Sequence, residues 1–510
     1  MVSLPQIVTG AMSLRCEGLG ERGARGWRPP AVTRKRRCAD ATCDALSTLL
    51  AGAAMPPRRS ARVAAVAQQS AGFITALPQP LTLRIFLALP VDARARACCV
   101  CRAWRAALED PVCWTHLDLT RLERSLHGIE QQPYPVLAAA AAKARGQLHA
   151  LHVPPLPRPV LFEVLRANAA SVRELRLKSR LLVHGGGAMG EALAHLLPSL
   201  ETIMAAAPLL QVVEARDVCC EWQVAAALLH AAPPFAPVVV RDLYAHFRWR
   251  EVGLFGMERV GPFAAALADA TLQPALTHVD VSNIDSAALD AVLDAALARR
   301  LPSLSMSGCA PPAAAPLARL LSGNSLTTLL VSETSGSAPF APLFDAAGAA
   351  LVADALRATT ALTELTFISS GLCRNPVAAN TLLGALIGHP SLRSLRLECE
   401  GRPAPAECGA ALAAMVAADT PALQSLSVCC LGICAHTCGI GDAGLMPLVA
   451  ALRRNQHLRK LDISCSETSE RFARRQLLPA VRANTSLRKF VCYGVTSGAE
   501  AMNLVERRAL

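Results

Sequence analysis

The chain has 510 residues, a formal net charge of +12 and 52% hydrophobic residues, much of that alanine, with only 4% aromatic. That length accommodates two or more domains. No run of about eighteen apolar residues is free of polar interruption, so no transmembrane helix is expected. Nineteen cysteines at uneven spacing do not make a disulfide framework, which points to a reducing compartment, cytoplasmic and/or nuclear.

Residues 1–70 have no sustained apolar period and read as a disordered basic tail. The first residues lack a basic stretch ahead of an apolar core, so a secretory signal is not expected. Arg34-Lys35-Arg36-Arg37 fits a nuclear-import patch. An arginine-rich, acid-poor leader also fits an organelle transit peptide, and a solvated tail without a specific job is the simplest of the three readings. Met1 to Ser70 hold eleven basic and four acidic residues, a net of +7. Over half the excess charge therefore sits in a tail, and neither a nucleic-acid nor a membrane partner is predicted from it.

From Leu77 to Leu119 three short apolar patterns succeed one another. Leu81, Ile85, Phe86 and Leu89 recur at helical spacing. Pro90-Val91-Asp92 breaks the run, with Asp92 placed to cap the second helix. Ala97, Val100, Cys101, Trp104 and Leu108 form a second helical stripe, stopped by Asp110-Pro111. So small a unit cannot bury all its apolar faces alone and needs a partner. Leu77-Pro78, Leu81, Ile85-Phe86, Leu89-Pro90, Val100-Cys101-Arg102-x-Trp104-Arg105, Asp110-Pro111-x-x-Trp114 and Leu117-Asp118-Leu119 together resemble an F-box, here over 71–120. The resemblance implies docking to a Skp-type adaptor and, through it, to a cullin-based ubiquitin ligase. Residue by residue, it implies adaptor contacts from Leu77, Pro78, Leu81, Ile85, Phe86, Leu89, Pro90, Val100, Trp104 and Trp114. Pro80 stands where such domains usually carry an acid, and a slightly altered helix start is expected.

Residues 121–147 read as a linker with an alanine-rich segment of helical character, and from 148 to 510 the chain repeats itself. The unit is Leu-x-x-Leu-x-Leu preceded by an amphipathic Ala/Leu-rich helix. Clear copies begin at Val172, Leu276, Leu326, Leu362, Leu392, Leu423, Leu458 and Leu487, and weaker ones at Leu148, Leu210, Phe235 and Leu301. One strand and one helix cannot make a core, but stacked copies share a continuous one. The run Ile440-Gly441-Asp442-Ala443-Gly444-Leu445, with Leu448, Leu452, Asn455, Leu458, Leu461 and Ile463, resembles the leucine-rich repeats of the ribonuclease-inhibitor-like kind. The expected fold is therefore α/β: a leucine-rich-repeat horseshoe, or solenoid of strand–helix units, behind a small all-α F-box and a disordered basic N-terminus. The ninth repeat position mostly lacks the asparagine or cysteine usual there. Loop insertions are expected at 335–350 and 429–445, and residues 180–260 show the repeat least clearly.

Side chains alternate along a strand, so residues between the inward leucines are expected on the concave surface. Late repeats place Arg393, Arg396, Arg459, Lys460, Arg488 and Lys489 there, which predicts an acidic or phosphorylated protein partner. An early repeat adds Arg173, Arg176 and Lys178. The set Cys430, Cys434, His436 and Cys438 has no established metal-ligand spacing, and free thiols in an insertion are the expectation; no cofactor or metal is predicted. Cys399, Cys430 and Cys465 recur at one repeat position and are expected to stack. No phosphate loop, H-E-x-x-H or G-x-S-x-G occurs, and Gly185-Gly186-Gly187 lacks a following lysine, so no catalytic residues are expected. The predicted role is a non-catalytic substrate receptor of a cullin–Skp–F-box ubiquitin ligase. A scaffold without a ligase role and a regulator of a small GTPase are the alternatives.

Overall fold

The period of the inward leucines is translated into a parallel sheet with one helix layer. The computed structural model describes residues 77–120, 134–156, 158–184, 197–246, 256–309, 313–333, 345–368, 375–399, 406–430, 440–464, 468–493 and 495–509. The expected tail with Arg34–Arg37, Gly185–Gly187, most of both expected insertions, and Cys434, His436, Cys438 and Cys465 lie outside the described residues.

Four short pieces come first: α1 (Gln79–Ala88), α2 (Val91–Ala97), α3 (Arg102–Ala107) and a 3-10 turn, Pro111–Trp114. Pro80 falls in the first turn of α1, where its missing N–H costs nothing. The Leu81 and Thr82 amides donate to the Pro78 carbonyl at 3.0 and 3.1 Å, so the helix starts on schedule. Asp92 is not the expected cap. Pro90 precedes α2, and Asp92 sits in the first turn, paired with Arg96 at 2.7 Å. Nor is the second stripe one helix: it breaks between α2 and α3, where Cys101 Sγ accepts the Trp104 N–H at 3.4 Å.

Among the described residues a single sheet of fourteen strands comes next, parallel throughout and ordered as in the sequence. Its strands are β1 (His116–Asp118), β2 (Ala150–Val153), β3 (Glu174–Val183), β4 (Val212–Glu221), β5 (Val238–Val239), β6 (Asp242–His246), β7 (His278–Ser282), β8 (Ser303–Cys309), β9 (Thr328–Glu333), β10 (Glu364–Ile368), β11 (Ser394–Cys399), β12 (Ser425–Cys430), β13 (Lys460–Asp462) and β14 (Lys489–Val491). Strand β5 pairs only with β4, off the main path. The helices are α4 (Tyr134–Lys143), α5 (Arg158–Ala167), α6 (Leu200–Ala206), α7 (Trp222–Leu229), α8 (Met257–Ala268), α9 (Ser286–Arg299), α10 (Ala314–Ser322), α11 (Ala346–Ala358), α12 (Pro376–Ala385), α13 (Ala406–Ala417), α14 (Gly441–Leu452), α15 (Glu470–Phe472), α16 (Leu478–Ala483) and α17 (Thr496–Ala509). Alternation of strand and helix along one parallel sheet is a solenoid.

The central leucines of the repeats lie in register from strand to strand. Leu304, Leu329, Leu365, Leu395, Leu426, Leu461 and Phe490 form one buried row. The sheet steps sideways at β3 and β4, its longest strands. Leu175 pairs with Val213 near their starts, the register shifts between Leu177 and Arg180, and only the far halves carry on to β6. The repeat was faint over 180–260 for this reason. The rung near Phe235 is β6, which presents Leu243 and Ala245, with Val240 in the turn just ahead of it, where other repeats have leucines.

The sheet begins before residue 148. His116 to Asp118 pair with Ala150 to His152, so the end of the F-box-like pattern is the first rung. The 121–147 span carries α4, whose Leu137 and Ala140 are fully buried and which packs on the 3-10 turn and on α5. Buried Arg94 completes the junction: its guanidinium donates to the carbonyls of Leu89 at 3.0 Å, Cys113, and His116 at 3.2 Å. The Trp114 ring is fully buried between two cations, Arg94 at 5.9 Å and Lys143 at 5.6 Å, and Lys143 pairs with Glu109 at 2.6 Å.

Where helix turns to strand, buried polar side chains satisfy the backbone. Asn455 Oδ1 accepts the Leu458 N–H at 2.8 Å while its amide donates to Val416 O of the repeat before. Asn484 does the same for Leu487 at 2.9 Å and for Leu452 O. His389 takes this place in its repeat, accepting from Leu392 at 3.1 Å and bonded to Leu356 O through Nε2 at 3.1 Å. The turn polar group thus stands three residues before the first leucine. This position does the work expected of the ninth one.

Candidate functional site

Helix α1 buries only Thr82 and Phe86. Leu83 is half-buried against the core, while Leu81 is 46% exposed and Ile85 39%, one helical turn apart on one face. Leu87, Val100 and Val112 are exposed as well, and so are Pro78 and Pro90. Leu77, Leu89 and Trp104 are half-buried. A ten-residue helix with this little burial is an unfilled contact face. Leu87 and Val112 were missed by sequence reading, because the matching pattern has no place for them.

Phe86 and Trp114 belong to a different class and correct the expectation that they touch an adaptor. Both are fully buried. Phe86 packs edge-on against Trp104 at 5.5 Å, and Trp114 Nε1 donates to Leu108 O at 2.7 Å. They support the exposed face from beneath and present no surface of their own.

The six predicted partner-binding cations divide into two rows. Arg396, Lys460 and Lys489 lie within strands, between inward residues. Arg393, Arg459 and Arg488 each stand one residue before a strand, in the turn ahead of it. The Arg393 and Arg459 carbonyls accept the amides that open the next rung. Lys460 and Lys489 are register partners on adjacent strands, with no ion pair among the described residues. Arg396 is bound by the buried carboxylate of Glu398, which leaves it the least free of the six. Arg459 and Arg488 are exposed and reach only backbone carbonyls, Ser486 O at 3.3 Å and Thr485 O at 3.4 Å. Early in the sheet, Arg176 pairs with Glu174 at 2.6 Å and Glu214 at 3.5 Å, so that end is internally neutralised. Lys178 reaches Thr120 O at 3.3 Å, and Arg173 Leu209 O at 3.5 Å.

Sequence reading missed a polar cluster on β3 to β7. The Arg180 guanidinium lies 4.7 Å over the Tyr244 ring and 3.2 Å from Asp217. Register places Tyr244 beside Asp280, and Asp242 beside His278. Burial pushes the Asp280 carboxyl up to about 7, against the pull of Arg180 and a hydrogen bond from Ser307. Burial likewise raises Cys219 to about 11 and holds His278 below its ordinary range. No cluster of three or more metal-ligating side chains occurs among the described residues. Cys399 and Cys430 are register partners on adjacent strands.

Residues 74–120 match the F-box-like family. No curated protein matches the chain.

Proposed function

We propose that the chain is a substrate-recognition subunit of a cullin–Skp-type ubiquitin ligase, with its strand–helix units being leucine-rich repeats. The F-box-like segment speaks for an adaptor role in general, since such domains bind Skp-type adaptors and are non-catalytic. The observation that carries the proposal is the exposed face of Leu81 and Ile85, with Val100 also exposed on that segment, set directly on the edge of a long sheet. The adaptor covers this face, and a client protein lies across the open side of the sheet. Such a receptor acts by proximity: it lowers the entropic cost of bringing client lysines to a loaded conjugating enzyme and makes no bond itself. The rows around Lys460 and Lys489 favour an acidic or phosphorylated stretch of client. Cytoplasm and nucleus are the compartments where such complexes are expected.

The test is co-purification of the full chain with a Skp-type adaptor and a cullin, against Leu81→Glu with Ile85→Glu. Both side chains are exposed, so the fold should stand while adaptor capture is lost. Undiminished capture by the double variant would overturn the assignment of the face.

A further inference from the structure

The open side of the sheet is not uniform in charge. On β4, β6 and β7 stand Asp217, Asp242 and Asp280 around Tyr244, with Arg180 as the cation paired to Asp217. The next two strands carry only small or neutral side chains on that side: Ser303, Ser305 and Ser307 on β8, then Thr328, Leu330 and Ser332 on β9. Beyond Glu364 and Thr366 on β10 come Ser394, Arg396 and Glu398 on β11, where Arg396 is bound to Glu398, and then Ser425 and Ser427 on β12. Lys460 and Lys489 stand past these, on β13 and β14. A floor rich in hydroxyls, interrupted by Glu364 and by the Arg396–Glu398 pair, therefore lies between a net-negative patch and a net-positive one.

We infer that this floor takes an extended client segment that is itself dipolar, with basic side chains at one end and acidic or phosphorylated side chains at the other. The inference rests on the client-binding role proposed above and specifies its substrate class. The spacing is set by the sheet. From β7 to β13 there are six inter-strand steps. At about 4.8 Å each they span about 29 Å, which an extended chain rising about 3.3 Å per residue crosses in about nine residues. The small side chains of β8 and β12 let a backbone approach, and their hydroxyls can bond its polar groups. Unlike charges at the two ends fix the register of the segment, which is what electrostatic complementarity does best.

The test uses the full chain and synthetic fluorescent peptides read by anisotropy. One peptide carries paired lysines and paired glutamates about nine residues apart, in both chain directions; controls use about three or about fifteen residues, or charges of one sign. Expected is binding of the nine-residue dipolar peptide in at least one direction, about tenfold tighter than any control, and loss of that preference in Lys460→Gln with Lys489→Gln. In Lys460→Glu with Lys489→Glu, the peptide basic at both ends should become the preferred one. Equal binding of an all-acidic peptide would overturn the dipolar inference and leave capture by the basic rows standing. Failure of every peptide would overturn it too, and adaptor capture measured on the same preparation reports separately on the ligase role.

Discussion

Replacing Arg94 by methionine should loosen the F-box-like segment from the sheet. The guanidinium joins three chain ends: the last turn of α1 at Leu89 O, the 3-10 turn at Cys113 O, and the edge strand β1 at His116 O. Methionine keeps most of the apolar stem and removes every donor. Each buried carbonyl left without a partner costs about 1–3 kcal/mol. Removing a buried cation returns part of its desolvation cost, which already lowers the pKa of Arg94. The net loss is then about 3 kcal/mol. Lysine, with one compact ammonium, cannot serve three separated acceptors and should recover little. Hydrogen exchange at the Leu119 and Ala150 amides reads the effect directly, since both bridge β1 and β2. Exchange there should speed up well before the amides of β10 to β12 respond, and the urea midpoint should fall. Unchanged exchange at Leu119 and Ala150, with stability within about 1 kcal/mol of the parent, would refute the role given to Arg94.

Three further outcomes are expected. His389→Ala strands two amides and the Leu356 carbonyl and should cost about 2–4 kcal/mol, whereas His389→Asn, copying Asn455, should cost under about 1 kcal/mol by urea denaturation. Burial holds the His389 pKa below its ordinary value, so the native state binds fewer protons than the unfolded one. That part of the stability is lost as pH falls below about 6.5, and the asparagine variant should not show it. Asp280 has the opposite sign. Its pKa, raised from 3.8 to about 7, means that it destabilises the fold progressively as pH rises between those values. Asp280→Asn should therefore be the more stable protein at pH 8, by at most about 4 kcal/mol. Affinity for the dipolar peptide should rise as pH passes about 7 in the parent and less in this variant. Arg180, Ser307, Cys219, Cys309 and Tyr244 act on the same carboxyl, Asp217, Asp242 and His278 stand around Tyr244, and loss of charge from His278 acts in the same direction. Gly409→Ala should lower the melting temperature, because a Cβ there meets the Gly444 backbone and forces α13 from α14, a strain of about 1–3 kcal/mol.

Much of the fold was legible because the inward leucines repeat with strand period and every one named in the clear copies lies on a strand or just ahead of it. Reading failed where apolarity was expressed by other residues. The β6 rung uses Ala245, with Val240 just ahead of the strand, and β1 was hidden inside the closing Leu117-Asp118-Leu119 of another pattern. The turn asparagines were visible all along, but three residues ahead of the leucine and not after it; Asn455-x-x-Leu458 and Asn484-x-x-Leu487 share the signature with His389-x-x-Leu392. For the adaptor face, the match named residue types without saying which side they face. Burial separates Phe86 and Trp114 from Leu81 and Ile85, and no spacing argument could do that in helices this short. The Arg180–Tyr244–Asp280 cluster was illegible for a different cause: its members come from three strands far apart in sequence and meet only through register.

Because β1 belongs at once to the F-box-like match and to the sheet, the end of the match at residue 120 is not a seam at which to cut. A chimaera grafted at residue 120 would carry a foreign strand into the first rung, and a truncated chain beginning at 148 would bare the hydrogen-bonding edge of β2 to its neighbours in solution. The F-box-like piece is therefore no exchangeable cassette but the end-stop of the stack, and any swap has to carry β1 and Arg94 along with it.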